Sequence, residues 1–185
     1  MNQNKIIFPL FIFFICLSCD DNRHIRYYRV QKNIKPTIIS QSSATSSIHW
    51  DTPGHWITTK GSSMRIGSYD IPFSNGTGDL SIIKLGGTAG GLASNINRWR
   101  GQLNLDSHTE IEIQDYIQNE KSTLGRFQWF KIINPENNET AFLASIFQTK
   151  THTIFVKLSA SIDGISELEF QFLDFCKSFT LDTSQ

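Results

Sequence analysis

This sequence has no excess of either charge: 17 Lys and Arg stand against 17 Asp and Glu over 185 residues. A nucleic-acid-binding domain would be strongly basic, so the balance argues against nucleic acid as a partner. Cysteine is scarce as well, with three residues in all, too few for a disulfide scaffold. The apolar run at residues 6–17 is only twelve residues long, whereas a helix needs about 20 to cross a bilayer. Neither Gly-x-Gly-x-x-Gly nor Gly-Lys-Ser/Thr occurs, which excludes both nucleotide fingerprints. The Gly-x-Ser-x-Gly elbow of hydrolases is missing, and no histidines have the spacing of metal ligands. What is present is 39% hydrophobic content, too much for a disordered chain, over a length that fits one domain or at most two.

The N-terminus reads as an address. Lys5 precedes the apolar residues 6–17, broken only by Pro9, which is the charged start and short apolar core of a secretory signal peptide. Asp20, Asp21 and Asn22 follow closely, so cleavage is expected rather than a spanning helix. Leu17-Ser18-Cys19 resembles the lipobox of bacterial lipoproteins, in which a small residue precedes the cysteine that is cut and lipidated; Cys16 stands where that family usually has Leu. The resemblance implies a signal peptide over residues 1–18, acyl chains such as palmitate on Cys19, and a membrane-anchored place in the cell envelope, facing the periplasm or exterior. Each buried CH₂ of such a chain contributes about 0.8 kcal/mol. With Cys16 removed and Cys19 acylated, Cys176 alone would remain, and no internal disulfide could form. Cys176 lies between Phe175 and Phe179 on an apolar stripe, which predicts core burial; a catalytic thiol would need a base and a lowered pKa.

Residues 19–47 are expected to form a tether. Arg23, Arg26, Arg29, Lys32 and Lys35 recur every third residue, and residues 37–47 are rich in Ser and Thr, with little to bury. The basic stretch is either a solvated spacer or a polybasic segment resting on anionic headgroups, each Lys or Arg then worth about 1 kcal/mol.

Residues 48–185 read as a single domain, long enough to bury about 70% of the surface of its unfolded chain without a metal or disulfide. Trp50, the turn residues Pro53-Gly54 and Trp56 predict a tight turn between aromatic rings. Residues 64–73 and 79–85 predict a hairpin joined through Ser74-Asn75-Gly76-Thr77-Gly78. A glycine-rich loop at 86–91 then leads into a helix over 92–103, with Leu92, Ile96, Trp99 and Leu103 on one face and Asn95, Arg98 and Gln102 on a polar one. Ser107-His108-Thr109-Glu110 has the pattern of a capping box and predicts a second helix, although Ile111 and Ile113 leave a short strand open. Residues 124–133, 140–148 and 153–159 read as three antiparallel strands, and a last helix from about Gly164 would bury Leu168, Phe172, Phe175, Cys176 and Phe179. The class expected is α+β, an antiparallel sheet with two or three packing helices.

Residues 50–56, Met64-Arg65, Trp129-Phe130-Lys131 and above all Gly90-Gly91-Leu92-Ala93-Ser94-Asn95-Ile96-Asn97-Arg98-Trp99-Arg100-Gly101-Gln102-Leu103 resemble a set of uncharacterised bacterial lipoproteins of planctomycete-like and related bacteria, with a Gly-Gly-x-x-x-Asn-x-Asn-Arg-Trp-Arg core. The order of elements, ending in a Phe-rich helix and a Ser-Phe-Thr-Leu strand, is similar to the PsbP/Mog1/DcrB-like fold. Neither resemblance supplies a catalytic residue, and a shared fold does not fix a function.

The candidate ligand-binding residues are Gly90, Gly91, Asn95, Arg98, Arg100 and Gln102. The glycines open a helix whose free N–H groups attract anions, or else form a tight turn that lets the helix pack. Two guanidiniums and two amides on neighbouring turns could clamp a carboxylate or phosphate, or else pair with carboxylates of the domain and cap local backbone. Trp50, Trp56, Trp99 and Trp129 could line a groove, although large aromatics are usually core. No catalytic residue, metal ligand or cofactor is assigned; Glu110 and Glu112, like Glu167 and Glu169, lie two apart and would not face one another on a helix. The expected function is that of a membrane-anchored envelope lipoprotein, a non-catalytic binding or assembly module whose partners are the membrane and an envelope protein or small anionic ligand. The alternative is an enzyme acting on an anionic envelope metabolite, with Arg98 or Arg100 as the clamp.

Overall fold

Runs of alternating and continuous apolar residues set most of the secondary structure over residues 47–137 and 139–182, which the computed structural model describes. The signal segment, Cys19 and the basic stretch lie outside the described residues. In chain order the elements are β1 (Ser47–His49), β2 (Ile57–Thr58), β3 (Arg65–Phe73), β4 (Gly76–Gly86), α1 (Leu92–Gln102), α2 (Glu110–Tyr116), β5 (Gln118–Lys121), β6 (Arg126–Ile133), β7 (Ala141–Gln148), β8 (His152–Ala160), α3 (Ile162–Lys177) and β9 (Thr180–Asp182). The class is α+β. Seven strands form one antiparallel sheet in the order β2-β3-β4-β8-β7-β6-β5, and β1 pairs with β9 in a second, two-stranded sheet. Strand β1 therefore begins at Ser47, the last residue assigned to the tether.

Phe73 pairs with Gly76, so β3 and β4 are joined by a two-residue turn, Ser74-Asn75, the shortest common hairpin connection. The turn predicted over 74–78 is thus shorter, because Gly76, Thr77 and Gly78 already pair with β3. Strand β7 is buried on both faces from Ala141 to Phe147, which accounts for its unbroken apolar run.

Opposite faces of the large sheet carry separate cores. Leu80, Ile82, Leu143, Phe147, Val156 and Leu158 pack on one face with Leu168, Phe172, Phe175 and Cys176 of α3. Ser161 caps that helix by accepting a hydrogen bond from the Gly164 N–H at 3.2 Å, so α3 starts two residues before the predicted Gly164. Just beyond its end, Phe179 stacks on Trp50 and Phe147 at ring separations of 5.3 and 4.9 Å. On the other face Phe130, Ile132, Phe142, Ile146 and Phe155 are covered by Ile96, Trp99 and Leu103 on and just after α1, and by Ile113 of α2. Each large apolar side chain so buried contributes about 1.5–3 kcal/mol.

The cap of α2 corrects the sequence reading by two residues. Thr109, not Ser107, is the N-cap, and Glu112 completes the capping box. The shift turns Ile113 fully into the core and leaves Ile111 78% exposed, so the short strand left open there does not form. Strands β2 and β5 were not anticipated; β5 consists of Gln118, Asn119, Glu120 and Lys121, with no apolar residue to signal it.

Candidate functional site

Helix α1 covers only part of its sheet face, and beside it one row of the floor sets small side chains on either side of a lysine. Lys157 of β8 lies between Ala144 of β7 and Ser81 of β4, and Ser81 in turn faces Ser68 of β3. Little volume rises above the sheet along that row. The neighbouring row pairs Ile83 with Phe155. The result is a groove of about 300 Å³ with Arg98, Trp99 and Gln102 of α1 as its wall. Ser81, Ile83, Leu85, Phe155 and Lys157 form the floor, and Met64 and Arg65 stand at the remaining side.

Three cations meet at this groove, each placed differently. Arg65 donates to both carboxylate oxygens of Asp79, at 2.7 and 2.8 Å, and to the Ser68 hydroxyl at 2.8 Å. This forked geometry raises the guanidinium's pKa, burial opposing, and neutralises its charge. Arg98 donates to the Asn95 side-chain oxygen at 2.9 Å and lies 5.9 Å from the Trp99 ring centroid. Lys157 donates to the Gln102 side-chain oxygen at 3.0 Å, its Nζ 4.2 Å from the Phe142 ring centroid. Burial holds the Lys157 ammonium below the ordinary lysine value; Asp79 opposes that, and the charges of Arg65 and Arg98 add to it. Arg65 and Lys157 escaped the sequence reading because strands distant in the chain bring them here. A signal existed for Lys157, the only charge within the apolar run of β8.

The structure divides the six candidate residues: Arg98 and Gln102 line this groove, Gly91 and Asn95 line a second cavity, and Gly90 and Arg100 line neither. Gly90 and Gly91 have φ of 85° and 81°, and Gly87 and Ala89 are also at positive φ, so the loop is a tight turn of a kind open mainly to glycine. Asn95, expected on a polar face, is buried; its amide nitrogen donates to the carbonyls of Gly91 and Ala89 at 2.6 and 2.9 Å. Asn97 exchanges two hydrogen bonds with the backbone of His108, both at 2.8 Å. Arg100 lies about 200° around the helix from Arg98 and donates to the Asp106 carbonyl at 2.7 Å. The amides and Arg100 thus fasten the segments before and after α1, and of the run's cations Arg98 alone enters the groove, with Gln102 beside it.

The remaining candidates lie in the core or in local pairs, and Trp99 among them also walls the groove. Trp56, Trp99 and Trp129 are buried, and Trp50 is half-buried with its indole N–H donating to the Tyr69 hydroxyl at 2.9 Å. Cys176 is completely buried with the Ser145 hydroxyl 3.2 Å from its sulfur; burial pushes the thiol up to about 12, the Ser145 contact opposing. Glu112 serves the α2 cap, Glu167 accepts from the Ser74 N–H at 3.0 Å, and Glu169 pairs with Lys131. A second cavity of about 280 Å³ lies at the start of α1, where Gly91, Asn95, Asn119, Arg126 and Gln128 are among its walls. Among the described residues no cluster of His, Cys, Asp and Glu could hold a metal ion. No described helix is long and apolar enough to cross a membrane.

No known protein family matches the chain, and no curated protein is similar to it in sequence. Among solved structures it is similar to the cyanobacterial PsbP protein CyanoP from Synechocystis sp. PCC 6803, with 18% identity and a TM-score of 0.45 over 77% of this chain and 96% of that one. It is also similar to LpqN, a protein involved in cell envelope biogenesis of Mycobacterium tuberculosis, with 12% identity and a TM-score of 0.42 over 77% of this chain and 87% of that one.

Proposed function

We propose that this protein is a lipid-anchored, non-catalytic binding module of the cell envelope, and that it holds an anionic ligand in the groove beside α1. One observation carries the reading: Arg65, Arg98 and Lys157 meet at a partly apolar groove whose lining holds no carboxylate, and neighbouring Asp79 is already committed to Arg65. Residues 48–185 carry eleven basic against fifteen acidic side chains, so the groove is a positive site within a negative domain and would draw anions to itself. In its lining Lys157, held below the ordinary lysine value, is the one group that could move a proton, and the absence of a second acid or base beside it favours binding over turnover. The signal-like residues 1–18 and Ser18-Cys19 support the anchor.

Calorimetric titration of the full mature chain with octyl sulfate and octyl phosphate, below their micellar concentrations, tests the groove. Saturable heat is expected with at least one of them, and the double variant Arg98→Ala, Lys157→Ala should lose it while its circular dichroism stays unchanged. Absence of binding by both compounds, or binding that survives the double variant, would sink this reading. Mass spectrometry of the protein from a bacterial membrane fraction tests the anchor separately: acyl chains are expected on Cys19, and an unmodified chain starting elsewhere refutes it.

A further inference from the structure

Building on this reading, we infer that the ligand is a phosphate monoester bound as its dianion, with an apolar substituent lying on Ile83, Leu85 and Phe155 toward Met64. The charge count carries the first half. The groups that face the site are Arg65 from β3, Asp79 from β4, Arg98 from α1 and Lys157 from β8. Asp79 cancels Arg65 through two short bonds, which leaves the two positive charges of Arg98 and Lys157. A monoanion such as a carboxylate or sulfate ester would answer only one of them, whereas a phosphate monoester carries a charge of about −1.5 to −2 at neutral pH, with three acceptor oxygens and a second pKa of about 6. Donors suited to those oxygens stand close by: the guanidinium nitrogens of Arg98 that do not serve Asn95, the ammonium of Lys157 and the amide nitrogen of Gln102.

Shape carries the second half. The groove, about 300 Å³ in volume and open to solvent on one side, has room for a phosphate head and the first part of an apolar chain. Beyond the cations Ile83, Leu85 and Phe155 make the floor apolar, and Met64 at the open side is 59% exposed, apolar surface where the substituent would emerge.

The test compares octyl phosphate, octyl sulfate and inorganic phosphate on the full mature chain by calorimetry. At pH 7.5 octyl phosphate is expected to bind about tenfold more tightly than octyl sulfate. At pH 5, where the monoester has taken up its second proton, the two should be nearly equal; because both meet the same protein, their ratio cancels any titration of the groove itself. Lys157→Met, which leaves one net charge, should level the two already at pH 7.5, and Arg98→Ala should do the same without touching the sheet. Equal binding of octyl sulfate at pH 7.5, or a preference that does not change with pH, overturns the dianion while leaving an anion-binding module intact. Inorganic phosphate binding within about threefold of octyl phosphate overturns the apolar half and points to a soluble phosphate compound. If neither octyl compound binds, the binding module itself falls.

Discussion

Arg98 donates to Asn95 at 2.9 Å, and the same Asn95 closes the turn before α1 through its bonds to Gly91 and Ala89. One buried amide thus holds both the loop and the groove's guanidinium. Asn95→Leu would leave the Ala89 carbonyl without its donor, the Gly91 carbonyl with only the long backbone bond from residue 95, and Arg98 without its acceptor. A loss of about 1–3 kcal/mol in urea denaturation is expected, together with a several-fold weaker grip on octyl phosphate. Arg98→Ala should instead cost under about 1 kcal/mol while weakening binding at least as much. Equal destabilisation by both variants would show that Arg98 is structural.

Asp79 restrains the site. Its bidentate pair with Arg65 is partly exposed, with side-chain accessibilities of 48% and 25%, so Asp79→Asn should cost no more than about 1 kcal/mol. It frees the Arg65 charge, and octyl phosphate affinity should rise several-fold at low salt and less at high salt, where screening is stronger. A fall in affinity would mean that Asp79 positions Arg65 for the ligand rather than neutralising it.

The Cys176 thiol, raised from 9.0 to about 12 in the fold, should resist the thiol reagent DTNB in the native protein at pH 8 and react at once in denaturant. Because the folded state holds the proton more tightly, the unfolded state loses it first. Full stability from this group is therefore present below about pH 9 and is lost as pH rises toward 12, at about 1.4 kcal/mol per pH unit. Cys176→Ala should flatten that alkaline slope in denaturation curves recorded between pH 8 and 11.

Thr109 and Glu112 cap α2 reciprocally, and the backbone and hydroxyl donors of Thr109 hold the Glu112 carboxyl below its ordinary value. Its contribution is present above the ordinary carboxylate range and is lost as pH falls through the lowered value. Thr109→Ala should cost about 0.5–2 kcal/mol and move the Glu112 titration upward by carbon-detected NMR; an unmoved titration would assign the shift to another cause.

Gly164 has no room for a methyl group, since a Cβ there would lie 2.7 Å from Phe73 Cζ. Gly164→Ala should therefore destabilise by about 1–3 kcal/mol even though alanine favours a helix, while the groove on the opposite face keeps its affinity. A melting temperature at or above that of the parent would show that the Phe73 ring swings aside.

Wherever one physical pattern governs a segment, the sequence reading recovers the fold. Ile96, Trp99 and Leu103 set α1, Leu168, Phe172 and Phe175 set α3, and the apolar runs of β6, β7 and β8 need no tertiary information. Two signals compete at α2, because Ser107 and Thr109 both precede a glutamate-rich turn; only the need to bury Ile113 chooses between them. Half of the groove was legible. Arg98 and Gln102 share a helix face that spacing alone identifies, whereas Arg65 and Lys157 arrive through strand pairings that no local pattern encodes. Asn95 and Arg100 look like ligand donors in the sequence because their polar groups are of the right kind, whereas in the fold the Asn95 amide and the Arg100 Nε bond to the backbone of adjoining loops.

Strand β5 ends the large sheet at one side with four polar residues, two of them the opposite charges of Glu120 and Lys121, and β2 ends it at the other with only two residues. Border strands so short and polar are poor templates for a further strand. If many copies are held side by side on one surface, their local concentration is far above that of a free protein, and these borders let them crowd without joining into a continuous sheet.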